Sequence, residues 1–187
     1  MSYLDTYREQ LQRTIASLDL DAVHRAVQIL RDVRERDGLI FVCGNGGSAA
    51  TASHFVTDIV KGASFQREKR FRILALTDSA TTMTAYANDV SYDAVFAEQL
   101  RNFAGPGDVL IAISGSGNSP NVLKAVETAR EYGCLTIGIT GRDGGKLRSM
   151  VNLNIHAPDP HMGRIEDAHM IVCHMIAYSF MDAGGEC

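Results

Sequence analysis

The sequence predicts an α/β fold: a three-layer, doubly wound, mostly parallel five-stranded sheet with two extra helices at its N-terminal end. Three observations predict it. Five short apolar runs recur along the chain, at Leu39–Cys43, Ile73–Leu76, Val109–Ile113, Leu135–Ile139 and Leu153–Ile155. These runs are continuous rather than alternating, as expected of strands buried on both faces. Most are followed by a segment of helical periodicity, which implies right-handed βαβ units and a parallel sheet.

Residues 1–37 carry apolar positions at helical spacing. Leu11, Ile15 and Leu18 mark one stripe; Val23, Ala26, Val27, Leu30 and Val33 mark a second, with Asp21 as its expected N-cap and Gly38 as its stop. Two helices joined near Leu18–Leu20 therefore precede the α/β core of residues 38–187 and are free to pack against another subunit. A long final helix is expected over Arg164–Met181, with Ile165, Met170, Ile171, Met175, Ile176 and Phe180 among its apolar positions. No linker or composition break interrupts the chain, so residues 1–187 are read as one domain.

Composition narrows the function classes. Hydrophobic residues make up 45% and charged residues 21%, near the average for soluble globular chains. A formal net charge of -4 gives no electrostatic footing for nucleic acid or an acidic membrane. The densest basic run, Arg67–Arg72, is interrupted by Glu68 and Phe71 and reads as a solvated loop. No apolar run has membrane-spanning length, and the first thirty residues lack a signal-peptide core. Cys43, Cys134, Cys173 and Cys187 form no C-x-x-C pair, so neither a disulfide framework nor a four-thiolate zinc site is expected. A reducing, cytoplasmic setting follows.

Two strand ends stand out. The first strand runs into Gly44-Asn45-Gly46-Gly47-Ser48-Ala49-Ala50 and a helix. Its glycines permit a tight turn and close approach to a ligand, while the helix start offers unpaired N–H groups and a positive dipole end. The segment also fits G-x-G-x-x-A, but the acidic partner of a dinucleotide site is out of place, since Asp78 comes only after Thr77. No ATP-type phosphate loop motif is present. The third strand ends in Ser114-Gly115-Ser116-Gly117-Asn118-Ser119-Pro120, where Ser119 is a natural N-cap and Pro120 suits the first helical position. Three hydroxyls and two glycines in six residues exceed what capping needs. Hydroxyls and backbone amides can surround a phosphate without a lysine, and two such loops on one sheet are best explained by a single anion.

The segments CGNGGSAATASHF, AYANDVSYDAVF, GDVLIAISGSGNSPNVLKAVETAREYG, TGRDGGKL and RIEDAHMIVCH together resemble the sugar isomerase (SIS) domain family, and within it the phosphoheptose isomerases. The resemblance runs over nearly the whole chain. It implies that Ser48, Ser114, Ser116 and Ser119 bind phosphate, with Gly115 in the same loop. It implies that Asn45, Gly46, Gly47, Asn88 and Asp89 contact the sugar. It also implies a homotetramer with sites between subunits and a zinc ion held by His54, Asp58, Glu166 and His174. Three positions depart from the family: Asp58 where Glu is usual, Glu166 where Gln is usual, and Gly115 where a Thr supplies another hydroxyl. The first two keep oxygen ligands while shortening one side chain and adding a negative charge.

His54 and Asp58 are four residues apart, hence on one helical face, and imidazole and carboxylate are ordinary zinc ligands. Glu166 and His174 are eight apart, about 12 Å of rise on a straight helix. Either Glu166 precedes the regular helix, or the two histidine-bearing faces belong to different subunits; the spacing favours an interfacial site. The chemistry implied by the resemblance is aldose–ketose isomerisation of sedoheptulose 7-phosphate through an enediol, with Asp58 and His174 as acid and base and Glu166 also at the substrate. Two rivals stand beside it: an isomerase of another sugar phosphate, and a non-catalytic SIS adaptor resembling a replication-initiator-associating protein. The latter lacks the full acid/base set present here.

Overall fold

The structure is a computed structural model that describes residues 2–182. Helix α1 (Tyr3–Ala16) opens with a capping box in which the Ser2 hydroxyl accepts from the Asp5 amide and the Asp5 carboxylate accepts from the Ser2 amide. Helix α2 (Leu20–Glu35) is capped by Asp19, whose side chain accepts from the amides of Asp21 and Ala22. The cap thus falls two residues earlier than expected; Asp21 lies in the first turn, where its charge favours the helix dipole.

The five strands are β1 (Leu39–Cys43), β2 (Arg72–Ala75), β3 (Val109–Ser114), β4 (Leu135–Gly141) and β5 (Leu153–Ala157). They form one all-parallel sheet in the order β2-β1-β3-β4-β5. The order reverses between β1 and β3, which sit side by side with Cys43 opposite Ala112. In open α/β sheets the crevice beyond such a reversal is where ligands bind.

Side chains along the central strands alternate between two apolar layers. Ile40, Val42, Val109, Ile111 and Ile113 face a core shared with the helices α2, α3 (Gly47–Thr57) and α8 (Met162–Asp182). Phe41, Cys43, Leu110 and Ala112 face the opposite core, closed by α5 (Ala97–Phe103), α6 (Pro120–Glu131) and α7 (Gly145–Met150). Helix α4 (Ala80–Asp89) lies at the margin of this second layer and has no fully buried residue. Cys43, Cys134 and Cys173 are buried, and burial pushes the Cys43 and Cys173 thiols up to about 12. They are packing residues; Cys187 lies outside the described residues. No helix among the described residues is long and apolar enough to cross a membrane.

The appended α1 is tied down by a buried ion pair. Asp159, 5% exposed, accepts from Arg164 Nε at 2.8 Å and Nη2 at 2.7 Å, from the His161 amide at 2.8 Å, and from the Thr14 hydroxyl of α1. Burial alone would raise the Asp159 pKa, but the bonds from Arg164, Thr14 and the His161 amide outweigh it and hold the carboxyl down at about 2. A folded-state pKa below the ordinary 3.8 stabilises the fold above that value and is lost as pH falls through about 2. The stability advantage of the wild type over Asp159→Asn is therefore expected to shrink between those two values, as read by urea unfolding at a series of pH values. A constant difference across that range would exclude an ionised Asp159 in the fold.

Candidate active site

The two glycine-rich loops leave the adjacent ends of β1 and β3. Gly46 precedes α3 at φ 54° and ψ -121°, a conformation open essentially to glycine alone, and turns the chain so that Ser48, buried, starts the helix. In the second loop Gly117 has φ 63°, and a Cβ there would run into the Gly144 carbonyl. The loop is braced from outside: the Leu147 amide donates to the Gly117 carbonyl at 2.9 Å, and the Lys146 amide to Asn118 Oδ1 at 3.1 Å.

The serines of the second loop converge. Ser114 Oγ lies 3.2 Å from Ser119 Oγ and 3.5 Å from Ser116 Oγ. Ser119 occupies the N-cap position of α6, yet its side chain makes no capping bond; its hydroxyl turns to Ser114 instead. The capping role expected for that side chain is thus not realised, and three alcohols share one small space at a helix N-terminus. Gly115 brings no side chain, and a Cβ there would stand 2.6 Å from Met162 Sδ, so the first turn of α8 fills the space a threonine would need.

The loops are fastened to each other by a pair of amides that sequence reasoning missed. Asn45 Nδ2 donates to Asn121 Oδ1 at 2.8 Å, Asn121 Nδ2 donates back to Asn45 Oδ1 at 2.9 Å, and the Tyr92 hydroxyl also donates to Asn45 Oδ1 at 2.9 Å. The Asn45 side chain is committed to this brace. Asn121 directly follows the Ser119–Pro120 helix start, a position that offered a signal. Tyr92 offered none. Asn88 and Asp89 are exposed at the end of α4 and bonded to each other at 2.8 Å, and Asp89 borders a surface cavity with Thr82, Tyr86 and Val90. Beside Ser116 the structure opens a cavity of about 630 Å³ bordered by Asn118, Arg142, Asp143 and the Pro158–Pro160 segment.

Farther along α3 the chemistry changes. His54 sits near its end, and Asp58 begins a π-helical turn (Asp58–Ala63), a distortion frequent at functional sites. His174 of α8 reaches the same point. His54 Nε2 and His174 Nε2 are 3.3 Å apart, and Asp58 Oδ2 is 3.4 Å from the first and 3.7 Å from the second. Asp58 Oδ2 is buried with no hydrogen-bond donor, and two imidazole nitrogens face the same space. Such a set of lone pairs suits a divalent cation, and these three residues are a possible metal-binding group.

Glu166 is not in that group. A Cβ on Gly47 would meet its carboxylate, so Glu166 lies against the first turn of α3. Helices α3 and α8 run side by side in the same direction, Gly47 beside Glu166 and His54 beside His174. This corrects the spacing argument for an interfacial site: both residues belong to one regular helix, and the two histidines meet within one chain. His169, between them on α8, is buried with neither ring nitrogen hydrogen-bonded to a side chain, and burial lowers its pKa to about 4.

A model of the SIS domain family matches residues 2–141. The chain belongs to the SIS domain family. Within that family it is 40% identical over 156 residues to a phosphoheptose isomerase of Helicobacter hepaticus, covering 83% of this chain and 79% of the relative. It is 39% identical over 173 residues to a probable phosphoheptose isomerase of Thermoplasma volcanium, covering 92% and 88%. Among solved structures, the phosphoheptose isomerase of Neisseria gonorrhoeae superposes with a TM-score of 0.88 at 32% identity over 95% of this chain and 96% of that one. The α/β class, the parallel sheet and the family resemblance are therefore all upheld.

The SIS loop geometry carries its own test. Gly117→Ala is expected to destabilise the protein by about 2 kcal/mol or more, from left-handed backbone strain plus the collision with Gly144. Denaturant unfolding measures it, and an unchanged midpoint would contradict the bracing of this loop.

Proposed function

We propose that this chain is an aldose–ketose isomerase of phosphorylated sugars that interconverts sedoheptulose 7-phosphate and D-glycero-D-manno-heptose 7-phosphate through an enediol. One observation carries the reading: Ser48 of the first loop and the His54–Asp58–His174 cluster lie along the same α3/α8 pair, beside the three alcohols of the second loop. From Ser48 to His54 is six residues, roughly 9 Å of helical rise at ~1.5 Å each. A sugar chain anchored by its terminal phosphate at the loops spans that distance and presents its far carbons to the cluster. The phosphoheptose isomerases among the relatives support the substrate.

Ser48, Ser114, Ser116 and Ser119 bind the phosphate with the N-terminal amides of α3 and α6, supplying positioning energy remote from the reacting carbons. Gly46 and Gly47 let the sugar approach the backbone, and Glu166 lies at the same end of α3 to contact substrate hydroxyls. His54, Asp58 and His174 would hold a zinc ion, while Glu166, beside Gly47, stands apart from them. A zinc ion held by these residues would supply a Lewis acid for the substrate's carbonyl oxygen. Where a carboxylate oxygen of Asp58 is left free by the metal, it takes the carbon-bound proton beside the carbonyl and returns it to the neighbouring carbon, and His174 is the acid/base on the other side, at the substrate oxygens. The protein works in the cytoplasm as a homotetramer. Asn88 and Asp89, exposed at the end of α4, contact the sugar.

A turnover screen over C5 to C7 ketose phosphates, with and without a chelator, tests this directly. Conversion of the C7 substrate that chelator removes is the expected result; no conversion of any ketose phosphate favours an adaptor role. Ser119→Ala is expected to raise KM for the sugar phosphate about tenfold, the loss of a hydrogen bond to a charged group, with little effect on stability because no cap is lost. Unchanged KM and phosphate affinity would remove this loop from phosphate binding. His174→Ala is expected to abolish turnover while leaving inorganic phosphate binding intact. Normal turnover by that variant would exclude His174 from the chemistry.

A further inference from the structure

The first turn of α8 is a shared wall of both anion loops. Met162 and Ile165 press on Gly115, Ile165 also presses on Gly141, and Glu166 presses on Gly47, each leaving no room for a Cβ. These contacts are made by the side chains of Met162, Ile165 and Glu166, with the branched Ile165 against Gly141 the stiffest of them, so a tilt of this turn moves side chains that border both loops. The segment that leads into it, Pro158–Pro160, borders the same cavity as Ser116 and Asn118.

That turn is fixed by an ion pair of the α/β core and, from outside the core, by α1. Asp159 grips Arg164 through both of its oxygens at 2.8 Å and 2.7 Å, and Arg164, 7% exposed, stands on the turn itself. Thr14 of α1, 5% exposed, donates its hydroxyl to the same carboxylate. About two turns earlier along α1, Tyr7 donates its hydroxyl to Asp167 Oδ2 at 2.6 Å, and its ring lies 5.7 Å from the Arg164 guanidinium carbon. A buried pair is poor evidence for stability as such, since well-packed apolar groups often serve as well. A planar, two-pronged bond is suited instead to holding an angle.

We propose that the Asp159–Arg164 pair, bridged to α1 by Thr14, is a positioning device for the anion site: it sets the entry of α8 and thereby the shape of both glycine-rich loops. Asp159, Arg164 and Thr14 are positioning residues that touch no reacting atom. The N-terminal helix thus contributes to substrate affinity from outside the sheet. The inference rests on the two loops being the anion site and deepens that reading.

Thr14→Val keeps the volume and removes only the hydroxyl, and Thr14→Ser restores it. Inorganic phosphate binding is followed by phosphorus NMR titration of the full chain, and KM and kcat are measured with sedoheptulose 7-phosphate. Thr14→Val is expected to weaken phosphate binding about threefold and Asp159→Asn about tenfold or more, as expected for loss of one and of several hydrogen bonds. KM should rise in step with kcat little changed, and Thr14→Ser should return to the wild-type values. If Thr14→Val only lowers the melting temperature and binds phosphate as the wild type does, the device is packing alone and the proposal is overturned. If the wild type does not turn over the heptose phosphate but Thr14→Val still weakens phosphate binding, the substrate reading falls and the positioning role stands.

Discussion

The parallel pairing of β1 with β3 is the constraint on which the rest of the site depends. Because these strands are neighbours at the point where the sheet order reverses, their two loops leave in the same direction and are not separated by an intervening strand. Each loop then starts a helix, so two sets of unpaired amides point at one crevice. The reciprocal amide bonds between Asn45 and Asn121 hold the loops at a set separation before any ligand arrives. Preorganised dipoles of this kind need no reorganisation when a charged group docks.

Helix α8 converts that cradle into a site with two ends. Its first turn closes against Gly47, Gly115 and Gly141, and a point about two turns later delivers His174 to His54 and Asp58. Running α8 beside α3 in the same direction keeps the two contacts in step, since both helices rise at the same rate per residue. The π turn that begins at Asp58 lets α3 continue past the cluster while its next residues pack under α8; Gly62 has no room for a Cβ beside Met181. In the proposed mechanism, anchoring of the phosphate and chemistry on the far carbons fall to opposite ends of this helix pair.

Much of this was legible in the chain. The five apolar runs located every strand to within a few residues, because strands buried on both faces leave a continuous signal. The glycine and serine loops were found for the same kind of reason: a residue type with no Cβ, or a hydroxyl in excess of capping, has few other uses. Strand order was not legible, because it depends on contacts between residues far apart in sequence. Ser119 had the sequence of a cap, but tertiary convergence with Ser114 diverted its hydroxyl. Tyr92 and Asn121 carry ordinary side chains whose role exists only once two loops are brought together. The spacing of Glu166 and His174 was read correctly as too long for one point, yet the resolution lay in a second parallel helix rather than in a second chain.

The most direct test of the account follows the carbon-bound hydrogen. Zinc-loaded protein incubated with sedoheptulose 7-phosphate in deuterated water should place solvent deuterium on the carbon beside the carbonyl, as an enediol formed by proton abstraction requires. Retention of the original hydrogen in all recovered substrate and product, or the absence of any product, would contradict it.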